Sequence, residues 1–493
     1  MVARSCLIVM AVVSAGSLGL SPGRVLNAEE RRESFDSDPG WDGRNNRATE
    51  PPPRDVRQDF GYSRTQNAGG TEPGEIGGFV HPAAEPAYYA KRIESATFRD
   101  RLTASGRLAC TGRHFHALVG FFNADTLGEW RTPNSIVLRL YGRGEVFYAY
   151  VEYATRRWRA GGDSPGGFAT VTDIETGRPR LRGFASQGAV HTWSLAYDPQ
   201  ENDGHGRITV TIDGETAVCH LDPGHKEDGA TFTHFGLMNV AKHFDTGGEL
   251  WLDDITVNRE AEDFGRDPGW EEKGNRRTYT THDVRPRFDF GFSPTHLAGG
   301  RRSGELGGLV FRGDNRFAER LAYYADRVEP LSLDRPLFAA GKVSLRRGVS
   351  DSTSLIGFFH ATESIAVSDT PTSGFPNNFL GAAIEGPSRE GFLFYPVYRL
   401  SAGEAYARDA DLPHILSDGE PHDWSFAYDP AVAGDRGRVT VTFDGQAVPL
   451  DFAPGHRDGQ TRFNRFGIVT TWIDGNGQHV YFDDLTYTVR QER

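Results

Sequence analysis

Over most of the chain apolar and polar positions alternate in short runs, and Gly, Pro, Asn and Asp separate the runs. A period of two with that punctuation predicts β-strands. Residues 135–140 and 146–153 are two such runs, joined by the string YGRGE. The clearest set spans 191–221 (HTWSLAYDPQENDGHGRITVTIDGETAVCHL). It predicts a strand, a Gly-rich connection, a second strand over 208–212, a tight turn at Asp213-Gly214 and a third strand. Residues 422–450 repeat the set, with Trp424, the Tyr428-Asp429-Pro430 string and a turn at Asp444-Gly445. Asp-Gly between alternating runs favours a two-residue hairpin. Each set is followed by a closing strand with paired acids, LWLDDITV (Asp253, Asp254) and VYFDDLTY (Asp483, Asp484). Helical spacing is confined to a single turn at 318–325.

The recurrence extends further. Residues 59–80 (DFGYSRTQNAGGTEPGEIGGFV) return as 289–310 (DFGFSPTHLAGGRRSGELGGLV), and the offset stays nearly constant from Phe35/Phe264 to Tyr197/Tyr428. That is duplication of a whole unit. The units are 33–259 and 261–493, with a linker of a few residues at 258–262, and 493 residues suit two units of this size. Each is expected to be an all-β, two-sheet jelly roll. Trp41, Trp193, Trp270 and Trp424 recur in both copies and are expected in the cores. With 38% apolar residues but 12% aromatic ones, rings must supply much of the buried area.

A net charge of −13 with both signs interspersed gives no support to a nucleic-acid partner. The opening string MVARSCLIVMAVVSAGSLGLSPGRVLNAEE places Arg4 ahead of a short apolar run and then small residues, which reads as a signal peptide over 1–28. A secreted or periplasmic protein is expected, and no later stretch is apolar enough to span a bilayer. Cys6 would leave with the leader. Cys110 and Cys219 are then either buried apolar sites or a disulfide.

Four strings recur in order: W-S-x-x-Y-D-P (193–199 and 424–430), T-V-T-x-D-G (209–214 and 440–445), F-G-(L/I) (235–237 and 466–468) and the closing D-D strand. This succession resembles the concanavalin A-like lectin/glucanase superfamily of secreted bacterial polysaccharide-active proteins, and the resemblance covers both repeats. It implies two tandem concanavalin-like jelly-roll β-sandwiches, with a concave face that holds glycan and a polysaccharide as the partner. The superfamily's catalytic strings are absent. Asp173-Ile174-Glu175 lacks the first Glu of the glucanase motif, and the Arg-Glu and Gln-Ile-His strings of alginate lyases do not occur.

Candidate chemistry is sparse. Asp59 with Glu75, and Asp289 with Glu305, recur at equal spacing, and a glycosidase needs two carboxyls roughly 5–10 Å apart. Glu75 stands between glycines, where it equally suits a carboxylate capping backbone N–H groups. A lyase needs a cation against a uronate carboxylate and a Tyr or His for the proton. Asn46-Arg47 with Tyr88-Tyr89, Asn275-Arg276 with Tyr323-Tyr324, and His191 or His422 offer these groups, although paired Tyr in a strand equally give one core and one surface ring. Asp59, Glu75, Tyr89 and His191 are thus the catalytic candidates. Sugar binding asks for aromatic faces and hydrogen-bonding groups. Arg47, Tyr88, Arg139, Tyr153, Trp158, Arg159, Asp289, Glu305 and Tyr324 are the binding candidates, with Tyr150 and Glu152 on the same stretch. Asp253, Asp254, Asp483 and Asp484 would suit structural calcium, or are solvated acids. The expected function is polysaccharide binding; the alternatives are a uronate lyase or glycoside hydrolase active in the first repeat, and an extracellular adhesion or scaffold protein.

Overall fold

The computed structural model describes residues 28–491, apart from the stretches 48–52, 112–113, 128–131, 163–167, 169–170, 173–176, 178, 181, 242–245, 282–286, 350, 370–373, 390, 408–410 and 458. The leader read at 1–28 and the Asp173-Glu175 string fall essentially outside these residues. Two antiparallel sandwiches follow one another. In the first, the back sheet runs Glu215–His220, Arg207–Ile212, His191–Asp198, Leu102–Thr111, Gly248–Val257, Glu75–Val80, Arg54–Ser63, Arg276–Thr281. Its front sheet runs Ala160–Gly161, Val146–Ala154, Ser135–Arg143, His114–Phe122, Thr231–Asn239, Tyr88–Thr97, Glu271–Lys273. The second sandwich repeats this plan, its front sheet running Asp42–Arg44, Tyr323–Ser332, Arg462–Val469, Ser352–Phe359, Phe379–Ser388, Gly391–Leu400, Gly403–Tyr406. The protein is all-β, two tandem jelly rolls, as the alternation predicts.

Local expectations hold where the signals are strongest. Asp213-Gly214 and Asp444-Gly445 turn with positive φ at both residues (49° and 83°, 45° and 84°), as a type I′ hairpin demands. Trp193 and Trp424 are each 3% exposed, and Trp41 and Trp270 are also buried. The 318–325 turn shrinks to a 3-10 turn at Ala318–Arg320 before the strand Tyr323–Ser332. Cys110 and Cys219 are free and buried, and burial pushes both thiols up to about 12, so the disulfide alternative falls. Among the described residues, no helix is long and apolar enough to cross a membrane.

The sandwiches do not coincide with the sequence repeats, because each repeat lends its opening residues to the other. Ala28–Glu33 pairs with the closing strand Gly477–Gln491, and Asp42–Arg44 pairs with Tyr323–Ser332. Phe35 and Trp41 accordingly sit in the core of the second sandwich. Conversely, Glu260–Glu262, Glu271–Lys273 and Arg276–Thr281 complete the first sandwich, and Phe264 and Trp270 enter its core. The cause is local. Asn258 and Arg259, both at positive φ (48° and 77°), turn the closing strand of the first sandwich straight back on itself. A two-residue hairpin leaves no length for the chain to cross over, so 260–281 stays where it is and the N-terminal segment fills the corresponding place in the second sandwich. A carboxylate pins each exchanged segment. Glu271 accepts from Tyr88 Oη (2.9 Å) and lies 3.0 Å from His234 Nε2; Asp42 accepts from Arg465 Nη2 (2.7 Å) and Tyr323 Oη (3.3 Å).

Candidate functional site

In the front sheet of the first sandwich, alternate residues enter the core and the rest face outward. Ile136, Leu138 and Leu140 go in, as do Phe147, Ala149, Val151 and Tyr153 on the next strand and Phe115, Ala117 and Val119 on the other side. This leaves Arg139 and Tyr141, Tyr148, Tyr150 and Glu152, and His116 on the outward face. Pairing sets Arg139 opposite Tyr150, and Tyr141 opposite both Tyr148 and His116. Arg139 Nε donates to Glu152 Oε1 at 2.8 Å, Nη1 lies 3.3 Å from His116 Nδ1, and the guanidinium covers the Tyr150 ring at 4.0 Å. The His116 ring stacks on Tyr141 at 4.4 Å, and Tyr141 neighbours Tyr148 at 6.3 Å. The result is a continuous strip of three tyrosines, a histidine and an ion pair that no core packing requires. The Arg139 and Glu152 side chains are only 8% and 3% exposed, and Glu152 Oε2 has no partner among the described residues. Toward the Tyr88–Thr97 strand the face becomes apolar, with Tyr88, Leu118, Phe122, Val137 and Met238 under Ala124 and Leu127.

No family model matches the sequence, and no curated protein does. Among solved structures, domains LG4-5 of the mouse laminin alpha1 chain are similar at 13% identity and a TM-score of 0.22, covering 84% of this chain and 96% of that one. An alginate lyase from Pseudomonas aeruginosa is similar at 14% identity and a TM-score of 0.24, covering 41% of this chain and 87% of that one. The Emp47p carbohydrate recognition domain follows at 11% and 0.22, covering 41% and 90%. Likenesses this remote bear on nothing beyond the jelly-roll architecture already evident from the strands.

Of the residues picked from sequence, Arg139 lies in the strip and most others are occupied elsewhere. Glu75 is fully buried, accepting Asn67 N and Nδ2 (2.7 and 2.8 Å) and Ala68 N (2.7 Å). Glu305 does the same for Leu297 and Ala298 N, with Thr295 Oγ1. Asp59 pairs with Arg57 at the surface, opposite Phe79 in register. Four residues along the strand at about 3.3 Å each separate it from Glu75 by roughly 13 Å, too far for a glycosidase pair. The same register separates Asp289 from Glu305. Tyr89 stacks on Trp270 in the core and donates to Asp267 Oδ1 at 3.3 Å, and burial raises its phenol. Tyr88 donates to Glu271, and its phenol is pushed up to about 12, first by burial and then by that acid. His191 bridges Asp213 Oδ2 (2.5 Å) and the Ala185 carbonyl (2.8 Å), and His422 meets Asp444 likewise, so both brace hairpins. Burial works against ionisation of Asp213, but hydrogen bonds from His191 and Thr192 outweigh it and lower its pKa.

Arg47 pairs with Asp289 at 2.6 Å, and Tyr324 stacks on Trp41 at 5.8 Å. Both therefore fasten the exchanged N-terminal segment to the second sandwich rather than joining Tyr88-Tyr89. Tyr153 points into the core, its hydroxyl between His225 Nδ1 (2.9 Å) and Asp222 N (3.0 Å). Trp158 leaves the first sandwich altogether and packs edge-on against Phe392 of the second at 4.9 Å. Arg159 lies near Gly224. The paired acids of the closing strands sit at bulges, with Asp254 and Asp484 at positive φ (47° and 48°). Asp253 Oδ2 accepts Gly70 N at 2.9 Å, and Asp254 takes Thr71 N and Oγ1. A Cβ on Gly70 would lie 2.0 Å from Asp253 Oδ2, and one on Gly300 1.7 Å from Asp483 Oδ2, which explains why the paired glycines recur. Burial raises Asp253 to about 6 and Asp483 to about 7. Asp253 and Asp254 thus brace the Gly70-Thr71 loop, and among the described residues no group of three or more His, Cys, Asp or Glu is placed to hold a metal.

Tyr141, Tyr148 and His116 were not singled out from sequence. The two tyrosines had a signal, since they flank the predicted GRGE turn at the same parity as Arg139 and Tyr150. His116 had none, because its place depends on pairing between strands distant in sequence.

Proposed function

We propose that this is an exported carbohydrate-binding protein of concanavalin-like architecture, led out by the segment 1–28, with polysaccharide lying on the outward strip of the first sandwich. The observation that carries this reading is the run Tyr148, Tyr141, His116, Arg139, Tyr150 across three neighbouring strands. Aromatic faces suit the C–H faces of sugar rings, and arginine and histidine suit hydroxyls or a carboxylate. Uronate lyase chemistry is the second reading, favoured by Arg139 standing beside a histidine and tyrosines in one strip. Hydrolysis has less support, because the strip holds a single carboxylate where two are needed.

The test is to pass the mature protein over insoluble polysaccharides while assaying for new reducing ends and for the ultraviolet absorbance of unsaturated uronate. Retention without product, lost in Tyr150→Ala and Tyr141→Ala, is the expected result. Product formation would establish the lyase or hydrolase instead. Absence of both would leave the sandwiches as protein-contact modules.

A further inference from the structure

The two sandwiches hold their exchanged segments in the same way. Phe35 and Phe264 both take positive φ (52° and 54°) and enter a core, and a Cβ on Gly304 or Gly74 would lie 1.8 or 2.0 Å from their carbonyl oxygens. Asn46 Nδ2 donates to the Phe290 carbonyl at 2.7 Å, and Asn275 Nδ2 to the Phe60 carbonyl at 2.6 Å. Phe290 N donates in return to the Asn46 carbonyl at 3.0 Å, and Phe60 N to the Asn275 carbonyl at 2.9 Å. Trp41 stacks on Tyr324 as Trp270 stacks on Tyr89, at 5.8 and 5.9 Å. Each sandwich therefore has one seat, shaped for the same extended segment.

The covalent connections differ. Residues 260–281 follow the closing strand Gly248–Val257 directly through the Asn258-Arg259 turn, so the first seat is filled by the chain that leads out of it. The second seat is built by 289–491 and filled by 28–47. Beyond the segment itself, the hydrogen bonds and ion pairs of 28–47 among the described residues all go to 289–491. The chain then passes through 48–53 (ATEPPP) to Arg54, where the first sandwich begins. Six residues span at most roughly 20 Å, and a run of three prolines makes for a stiff tether. The contacts at this seat are the same whether the segment comes from its own chain or from another, and the tether alone separates the two cases. One exchange between copies of the unit is already on display, since the opening segment of the first repeat sits in the sandwich of the second.

We propose that this seat is an interaction surface for a second copy of the chain: residues 28–47 of each copy complete the second sandwich of the other, giving a two-fold dimer. Phe35 and Trp41 are the buried anchors, and Ala28–Glu33 and Asp42–Arg44 supply the pairing strands. The dimer does not depend on the carbohydrate reading, and it presents two outward strips, one from each copy.

The experiment uses Arg32 and Thr486, which stand opposite each other in register and are at least partly exposed. Full chain carrying Arg32→Cys is refolded together with full chain carrying Thr486→Cys and then oxidised. Each chain holds one engineered thiol, so a disulfide at this register forms only across two copies. The expected result is a covalent dimer on a non-reducing gel, absent when either variant is oxidised alone. Sedimentation of wild type should show monomer and dimer, with dimer rising with concentration. Deleting Pro51, Pro52 and Pro53 should shift the chain to dimer, and a Gly/Ser insertion that doubles the tether should shift it to monomer. A wild type that stays monomeric at every concentration overturns the proposal. So does a double variant Arg32→Cys/Thr486→Cys that locks within one chain while the mixture yields no dimer, because the seat is then filled only in its own chain. A dimer whose proportion ignores tether length also overturns it, since another surface would be joining the copies.

Discussion

The outward faces of the two front sheets began as the same surface and have been put to different use. In the first sandwich Arg139 faces Tyr150 in register and Val137 faces Glu152; in the second, Ala383 faces Tyr395 and Gly381 faces Val397. The ion pair has thus been replaced by Ala383 and Val397, and Tyr141 and Tyr148 by Glu385 and Leu393. In place of the polar strip, the second face carries apolar side chains: Ile365, Phe375, Leu412 and Trp472 pack onto Phe359, Phe379, Ala383 and Val397 in one apolar cluster. What polarity remains is turned inward on itself, with Arg312 donating to Glu385 at 2.8 Å and Tyr395 donating to the same acid. Where one copy has closed its face with side chains of its own, the copy that keeps a buried ion pair bears the cost of desolvating it. That cost is what singles the strip out from ordinary packing.

The difference is open to direct attack. The largest effect is expected from Ala383→Arg, which places an unpaired charge in the apolar plug and should cost several kcal/mol. Urea titration should show a strongly destabilised chain with glycan retention unchanged at low denaturant. Next comes Arg139→Ala, which strands the buried Glu152 carboxylate and should cost about 3–5 kcal/mol. The double change Arg139→Ala/Glu152→Val copies the second repeat, and should recover most of the stability while leaving retention abolished; failure to recover would mean that Arg139 has no special dependence on its partner. Glu75→Gln probes where the copies agree. Its amide directs a donor at loop N–H groups, so about 1–3 kcal/mol should be lost without change in retention, and Glu305→Gln should behave alike in the second copy.

The smallest effect is a pH slope. Buried Asp253 and Asp483 titrate near 6 and 7 in the folded chain, against about 3.9 for an unfolded aspartate. Between those values the folded chain holds protons that the unfolded chain releases, so their contribution is complete below about pH 4 and is lost as pH rises toward 7. Asp483 lies higher, consistent with its Oδ2 lacking a partner among the described residues while Asp253 Oδ2 has Gly70 N. Melting temperatures measured across this range should fall with pH, and Asp483→Asn should flatten the upper part of the curve more than Asp253→Asn.

Local rules carried much of this molecule. Alternation gave the strands, Asp-Gly gave both hairpins, and the duplicated strings gave two like sandwiches. The same period-two rule, applied strictly, also separates Tyr148, Tyr150 and Glu152 from Tyr153, because neighbours of opposite parity leave a strand on opposite faces. Grouping Tyr153, Trp158 and Arg159 with Arg139 ignored that parity and the end of the strand at Ala154. Recurrence between copies misled in another way, since Glu75, Asp253 and His191 recur to satisfy backbone groups at loops and hairpins, and a fold must keep those whatever it binds.

By itself the chain determined its strands, its turns, the identity of its core rings and its division into two related halves, because those depend on neighbours within a few residues. Only the tertiary structure decided which sandwich each opening segment completes, which shared acids are sealed from water, and which copy keeps a polar strip on its front sheet. Each of those depends on strand pairing across long stretches of chain, where a two-residue turn at Asn258-Arg259 and the side chains that meet on each sheet face settle outcomes that no local pattern encodes.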